Sequence, residues 1–252
     1  MKSAMALILA LLSLLPAWTA WASPVKRILV LGDSLSEGLG LKPSQAYPAL
    51  LTQKLRAAHL SFEVTNASAS GGTTEDGLRR LPAHLKSKID IFILELGIND
   101  VFRGVPVGEI RRNLQTIIDQ VKARDPNVRI ILCGMRLPNE TADGYVFAFS
   151  KMYSDLAAKD HAALVPYLLA GVAGDPSLNL PDGIHPNAAG QRILAENVWR
   201  VLKPIAREVS AAISGQGASR LSIGILPIYR LEADATRRIV QDTANVSVKS
   251  VK

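Results

Sequence analysis

Only one cysteine, Cys133, occurs in the 252 residues, so no intramolecular disulfide can form and no cysteine-paired zinc site exists. It lies in the apolar run Ile130-Ile131-Leu132-Cys133 and reads as a buried core thiol rather than a reactive one. Histidine is also scarce, with four copies at no paired ligand spacing, so no metal is expected. Aromatic residues make up only 5%, and the +7 charge excess is scattered in short pairs such as Arg79-Arg80, Arg111-Arg112 and Arg237-Arg238. A nucleic-acid footprint would cluster its basic residues among aromatics, so this surface reads as solvated and no nucleic-acid partner is expected. Neither a G-x-G-x-x-G turn nor a P-loop is present, which argues against a nucleotide cofactor.

Long apolar runs are confined to the start. Lys2 precedes an apolar stretch over 4–15, Pro16 ends its helical tendency, and Ala20-Trp21-Ala22 fits a small-x-small cleavage site before Ser23. That stretch falls short of the roughly 20 residues of a membrane span. Residues 1–22 are therefore expected to be a signal peptide, leaving an exported chain, periplasmic or secreted, with no stable membrane span.

What is present suits a globular domain, since 48% hydrophobic and 20% charged residues can enclose a sizeable core. Apolar, β-branched runs at 28–31, 62–64, 89–94, 128–132 and 164–165 read as strands. Between them, helical spacing covers 46–58, 74–84 (interrupted near Pro82), 107–124 and 144–159, and Asn187 is placed to cap a last helix reaching about Leu202. Five such alternations predict an α/β fold, a parallel sheet covered by helices on both faces. The domain is expected over 23–207. Residues 208–252, with a linker-like Ser214-Gly215-Gln216-Gly217, read as a disordered or loosely packed extension.

In parallel sheets, ligands sit at the carboxyl ends of strands. Three polar motifs fall there: Gly32-Asp33-Ser34-Leu35-Ser36, Asn66 to Gly72, and Gly97-Ile98-Asn99-Asp100. Ser34 alone is a common turn serine, and it becomes a nucleophile only beside a base. His59 and His84 lie beside charged residues on helices, and His161 at a helix end. His185 differs, because Asp182-Gly183-Ile184-His185-Pro186 sets a carboxylate three residues before an imidazole in a loop bounded by Gly and Pro. Such a loop can fold Asp182 onto one ring nitrogen while the other faces a serine. The Gly71-Gly72 pair can offer an unobstructed backbone N–H, Asn99 a side-chain amide and Ser34 its own N–H, together a three-donor oxyanion hole.

Serine, glycine, asparagine and Asp-x-x-His in this order resemble the SGNH family, also called GDSL hydrolases, whose blocks centre on Ser, Gly, Asn and His. Asn66-Ala67-Ser68-Ala69-Ser70-Gly71, Gly77-Leu78 with Arg80-Leu81-Pro82, and Arg136-Leu137-Pro138 are similar to its bacterial branch of thioesterases, lysophospholipases and arylesterases. The likeness spans about residues 26–203. It implies a flavodoxin-like α/β/α sandwich with a five-stranded sheet in the order 2-1-3-4-5, and no cofactor. It implies Ser34 as nucleophile, His185 as base, Asp182 as its orienting acid, and Ser34, Gly71 and Asn99 as oxyanion donors. Expected substrates are small acyl esters and thioesters, lysophospholipids among them. Val101, Phe102, Leu137, Pro138, Tyr145 and Phe147 are candidates for an acyl wall or, equally, for core packing. Ile98 replaces a second glycine frequent in this branch, and the loop 139–144 is slightly long. A carbohydrate O-deacetylase of the same family and a non-catalytic flavodoxin-like binding module are the alternatives. The sequence does not fix oligomeric state, and a monomer is the simpler expectation.

Overall fold

The computed structural model describes residues 25–137 and 144–213. The expected leader lies outside these residues, as does the extension beyond Ile213. Five strands, β1 (Lys26–Leu31), β2 (Phe62–Asn66), β3 (Ile91–Leu94), β4 (Arg129–Cys133) and β5 (Ala163–Val165), pair in parallel in the order β2-β1-β3-β4-β5. β1 is central, with Ile28 opposite Val64 of β2 on one side and Ile91 of β3 on the other. Its continuous apolar run is explained by burial on both faces, where Ile28, Val30 and Leu31 are fully enclosed.

The helices are α1 (Ser34–Glu37), α2 (Tyr47–Ala57), α3 (Thr74–His84), α4 (Ile98–Phe102), α5 (Val107–Arg124), α6 (Gly144–Asp160) and α7 (Ala188–Ile213). α2 packs against α7, whereas α3 packs against α5 and α5 against α6, so the sheet is clothed on both faces. The periodic residues of α5, Ile110, Leu114, Ile117, Ile118 and Val121, are all buried, as their spacing requires. α3 starts with a capping box in which Thr73 and Asp76 each satisfy the other's backbone N–H.

Two sequence expectations fail at proline. α3 runs unbroken through Pro82, and α7 runs through Pro204 to Ile213, well beyond Leu202 and into residues assigned to the extension. An interior proline costs about 3 kcal/mol. In α7, Leu202, Ile205 and Ala206 are buried around Pro204, and enclosing a Leu or Ile returns about 1.5–3 kcal/mol each. Packing therefore wins over propensity. The short helices α1 and α4 were also not anticipated. His59 lies just past α2 rather than on it, in a left-handed conformation with φ 56°. Among the described residues no helix is long and apolar enough to cross a membrane.

Candidate active site

The strand order reverses direction between β1 and β3, the switch point beside which ligands of open parallel sheets bind. Leu31 ends β1, and the chain turns through Gly32 and Asp33 into α1, whose first residue is Ser34. Asp33 is the N-cap, its Oδ1 accepting the Leu35 N–H at 2.9 Å. A Cβ on Gly32 would meet the hydroxyl of Ser36 and lie 2.6 Å from Glu95 Oε2, so only glycine permits this turn. Ser34 is largely buried, with 7% of its surface exposed.

Across from it, His185 Nε2 lies 3.0 Å from Ser34 Oγ, and Nδ1 lies 2.7 Å from Asp182 Oδ2. The Asp182–His185 turn is built locally. Asp182 Oδ1 accepts the backbone N–H groups of Ile184 at 2.9 Å and His185 at 3.0 Å. These two, that of His185 first, and then the imidazole bond hold the Asp182 carboxyl down to about 2. The loop is pinned behind: Leu180 N–H donates to the His185 carbonyl at 2.7 Å, and Asn179 bridges to Pro186. Asn187 caps α7 through its bonds to the Ala189 and Gly190 N–H groups. Serine and imidazole, 151 positions apart, are thus presented by two capped helix starts.

The expected oxyanion donors divide into two kinds. Among the described residues the Ser34 and Gly71 N–H groups have no hydrogen-bond acceptor, whereas the Gly72 N–H is taken by the Ala69 carbonyl at 3.0 Å. Gly71 adopts φ 71°, and its carbonyl accepts from Arg103 Nη2 at 2.9 Å, which fixes the peptide on either side of the turn. Asn99 Nδ2 donates to Asp33 Oδ2 at 3.0 Å and to the Gly72 carbonyl at 3.1 Å. Its amide is therefore oriented by the residue preceding Ser34 and by the turn following Gly71.

Of the acyl-wall candidates, Val101, Leu137 and Tyr145 pack against the core, and the Tyr145 hydroxyl donates to the Val105 carbonyl at 2.7 Å. Phe102 and Phe147 are exposed, as is Ile184 beside the histidine. Pro138 lies outside the described residues. A shallow hollow of about 480 Å³ adjoins Gly71, lined by Ala69 to Gly72, Asp76, Arg79, Arg80 and Arg103, and none of the five described candidates borders it.

Sequence reasoning passed over Glu95, which follows β3 and is fully buried. Its Oε2 accepts the Asp33 N–H at 3.1 Å and the Ser36 hydroxyl at 2.6 Å, and Ser36 Oγ lies 2.7 Å from the Tyr47 hydroxyl. An acidic residue directly after an entirely apolar strand was the available signal. Arg80 was quoted only as part of a motif. Its guanidinium clasps the turn by donating to the Gly32 and Ala67 carbonyls.

A serine beside an imidazole–carboxylate pair, with the Ser34 and Gly71 N–H groups left without acceptors among the described residues, invites comparison with known hydrolases. The family model of the GDSL-like lipase/acylhydrolase family matches residues 30–193. The chain belongs to that family. It is 42% identical over 179 residues to the esterase TesA of Pseudomonas aeruginosa, covering 71% of this chain and 88% of that protein. It is 38% identical over 185 residues to thioesterase 1/protease 1/lysophospholipase L1 of Escherichia coli K12, covering 73% and 86% respectively. A solved crystal structure of TesA superposes with a TM-score of 0.67 at 41% identity, covering 71% of this chain and 99% of that one. The expected α/β fold and sheet order are those observed, and the GDSL chain described here is a carboxylic ester hydrolase.

Proposed function

We propose that Ser34 is the nucleophile of this hydrolase, His185 its general base and Asp182 the carboxylate that orients the imidazole. The observation that carries the reading is the continuous pair of contacts from Asp182 through His185 to Ser34 Oγ. Asp182 is ionised at any pH well above about 2, so it fixes the Nδ1–H tautomer and leaves Nε2 to accept the serine proton.

Ser34 Oγ bonds to the ester carbonyl carbon as its proton passes to His185 Nε2, and the carbonyl π pair becomes an oxyanion. The Ser34 and Gly71 N–H groups are the free donors for that charge. Asn99 Nδ2 is the third, sharing a hydrogen between the oxyanion and one of its present acceptors. Collapse breaks the bond to the alcohol or thiol, which leaves with the proton from His185. Water, deprotonated by His185, then attacks the acyl-enzyme, and Ser34 Oγ departs and recovers its proton.

The substrates we assign are aryl and alkyl esters, acyl thioesters and lysophospholipids, in keeping with the names of the two relatives. The exposed Phe102 and Phe147 support an apolar contact for the acyl part. With residues 1–22 as a cleaved leader, the enzyme acts outside the cytoplasm. The test is Ser34→Ala assayed on a chromogenic acyl ester. Turnover should fall by about 10⁴–10⁶, and retention of wild-type hydrolysis would remove Ser34 from the mechanism.

A further inference from the structure

At the turn that carries Ser34, two carboxyl side chains from the segments that follow β1 and β3 meet in the interior. Asp33 and Glu95 are both fully buried, and the Glu95 backbone N–H continues the ladder by donating to the Leu31 carbonyl at 2.9 Å. Every element around Glu95 can be inspected for a counter-charge. The β1–α1 turn brings Asp33 and Ser36, α2 brings Tyr47, β4 Cys133 and α6 Tyr153, none of them cationic. α3 brings Arg80, a fixed positive charge whose Nε and Nη2 are spent on backbone carbonyls. No described basic side chain forms an ion pair with Glu95, and its Oε1 accepts no hydrogen bond from any described residue.

Asp33 is better provided for. Its two oxygens accept the Leu35 N–H and the Asn99 amide, and the Arg80 guanidinium lies near enough to favour its charge. Two carboxylates cannot both be ionised in such a place, and the one with fewer donors and no cation keeps the proton. We propose that Glu95 is a positioning residue of the esterase site, a neutral carboxylic acid that anchors the Asp33 N–H and the Ser36 hydroxyl from below. Through them it sets the height at which Ser34 presents Oγ to His185. Burial, and then the charge of Asp33, push the Glu95 carboxyl well above its ordinary range, in the same direction.

The idea rests on Ser34 as nucleophile, so the test has one arm that needs no activity. Infrared difference spectra in heavy water, wild type against Glu95→Gln, should reveal a protonated-carboxyl band that persists in the wild type to mildly alkaline pH. Its absence at neutral pH would overturn the proposal. In the kinetic arm, Glu95→Gln keeps an acceptor for both donors and should retain kcat within about threefold, with an unshifted pH profile. Glu95→Leu orphans two buried donors and should lower kcat about 10–100-fold with KM nearly unchanged. A Gln variant as impaired as Leu, or an unimpaired Leu variant, would contradict the assignment. Should Glu95→Leu not fold, Ser36→Ala serves in its place, with kcat expected to fall about 3–10-fold. Unchanged kcat there would likewise overturn it. If the infrared band stands but Ser34→Ala still hydrolyses ester, the nucleophile is wrong and the neutral acid is not.

Discussion

Asp182 and Asp33 both serve the candidate site, and they hold charge in opposite ways. Asp182 is half exposed and gathers its donors from the next three residues, two backbone N–H groups and an imidazole, so its carboxyl is drawn down to about 2. Asp33 is buried and takes donors from Leu35 and distant Asn99, and burial pushes it up to about 6 despite them. The first is a stable charge made by local sequence. The second is a charge kept against desolvation by long-range packing. The carboxylate proposed to orient His185 is thus held down to about 2, while the one in the turn that carries Ser34 is pushed up to about 6.

The comparison can be broken most forcefully at the imidazole. His185→Ala should reduce kcat on ester substrates by about 10⁴ or more, whereas Asp182→Ala should cost about 10²–10⁴ because solvent reaches Nδ1 once the exposed carboxylate is gone. Equal losses, measured as kcat on one chromogenic ester, would mean that the carboxylate does more than orient. Next in size is Asn99→Ala, which removes both a proposed oxyanion donor and a partner of Asp33. We expect kcat to fall by about 10², at the low end for such a donor because its hydrogens are already shared.

The smallest effects are in pH-dependent stability, and their signs oppose. The raised carboxyl of Asp33 is a burden once ionised, so its effect is absent below its unfolded value of 3.8 and grows as pH rises through about 6. The depressed carboxyl of Asp182 contributes stability that is present above 3.8 and lost as pH falls through about 2. Denaturant unfolding of Asp33→Asn should therefore gain on wild type as pH climbs from about 4 to about 6. Asp182→Asn should regain parity as pH drops from about 4 to about 2. Matching signs in the two series would collapse the contrast.

The same contrast explains what could be read in the sequence. Asp182 and His185 were legible because three residues suffice to build their contact. The strands were legible because β1 carries the unbroken apolar run Ile28 to Leu31 and β3 is apolar throughout, and Ser34, Gly71 and Asn99 stood out as candidates because each follows a strand end. Glu95 was not. Its partners, Asp33 and Ser36, are 62 and 59 positions away, and the one local mark, an acidic residue directly after an apolar strand, does not say which groups it meets. The end of α7 was set short, at about Leu202, for a related reason: the burial that carries the helix through Pro204 to Ile213 comes from tertiary contact rather than helical propensity. Lys26 and Arg27 extend β1 beyond its apolar run, held by backbone pairing with Phe62 and Glu63. Of the acyl-wall candidates, Phe102 and Phe147 are exposed, whereas Val101, Leu137 and Tyr145 pack against the core.

The most direct test of Ser34 as nucleophile is covalent. Wild-type enzyme treated with a serine-directed fluorophosphonate, digested and sequenced by mass spectrometry, should carry one adduct, on Ser34, and Ser34→Ala should carry none. An adduct on another residue, or ester hydrolysis that proceeds with Ser34 unlabelled, would contradict the account.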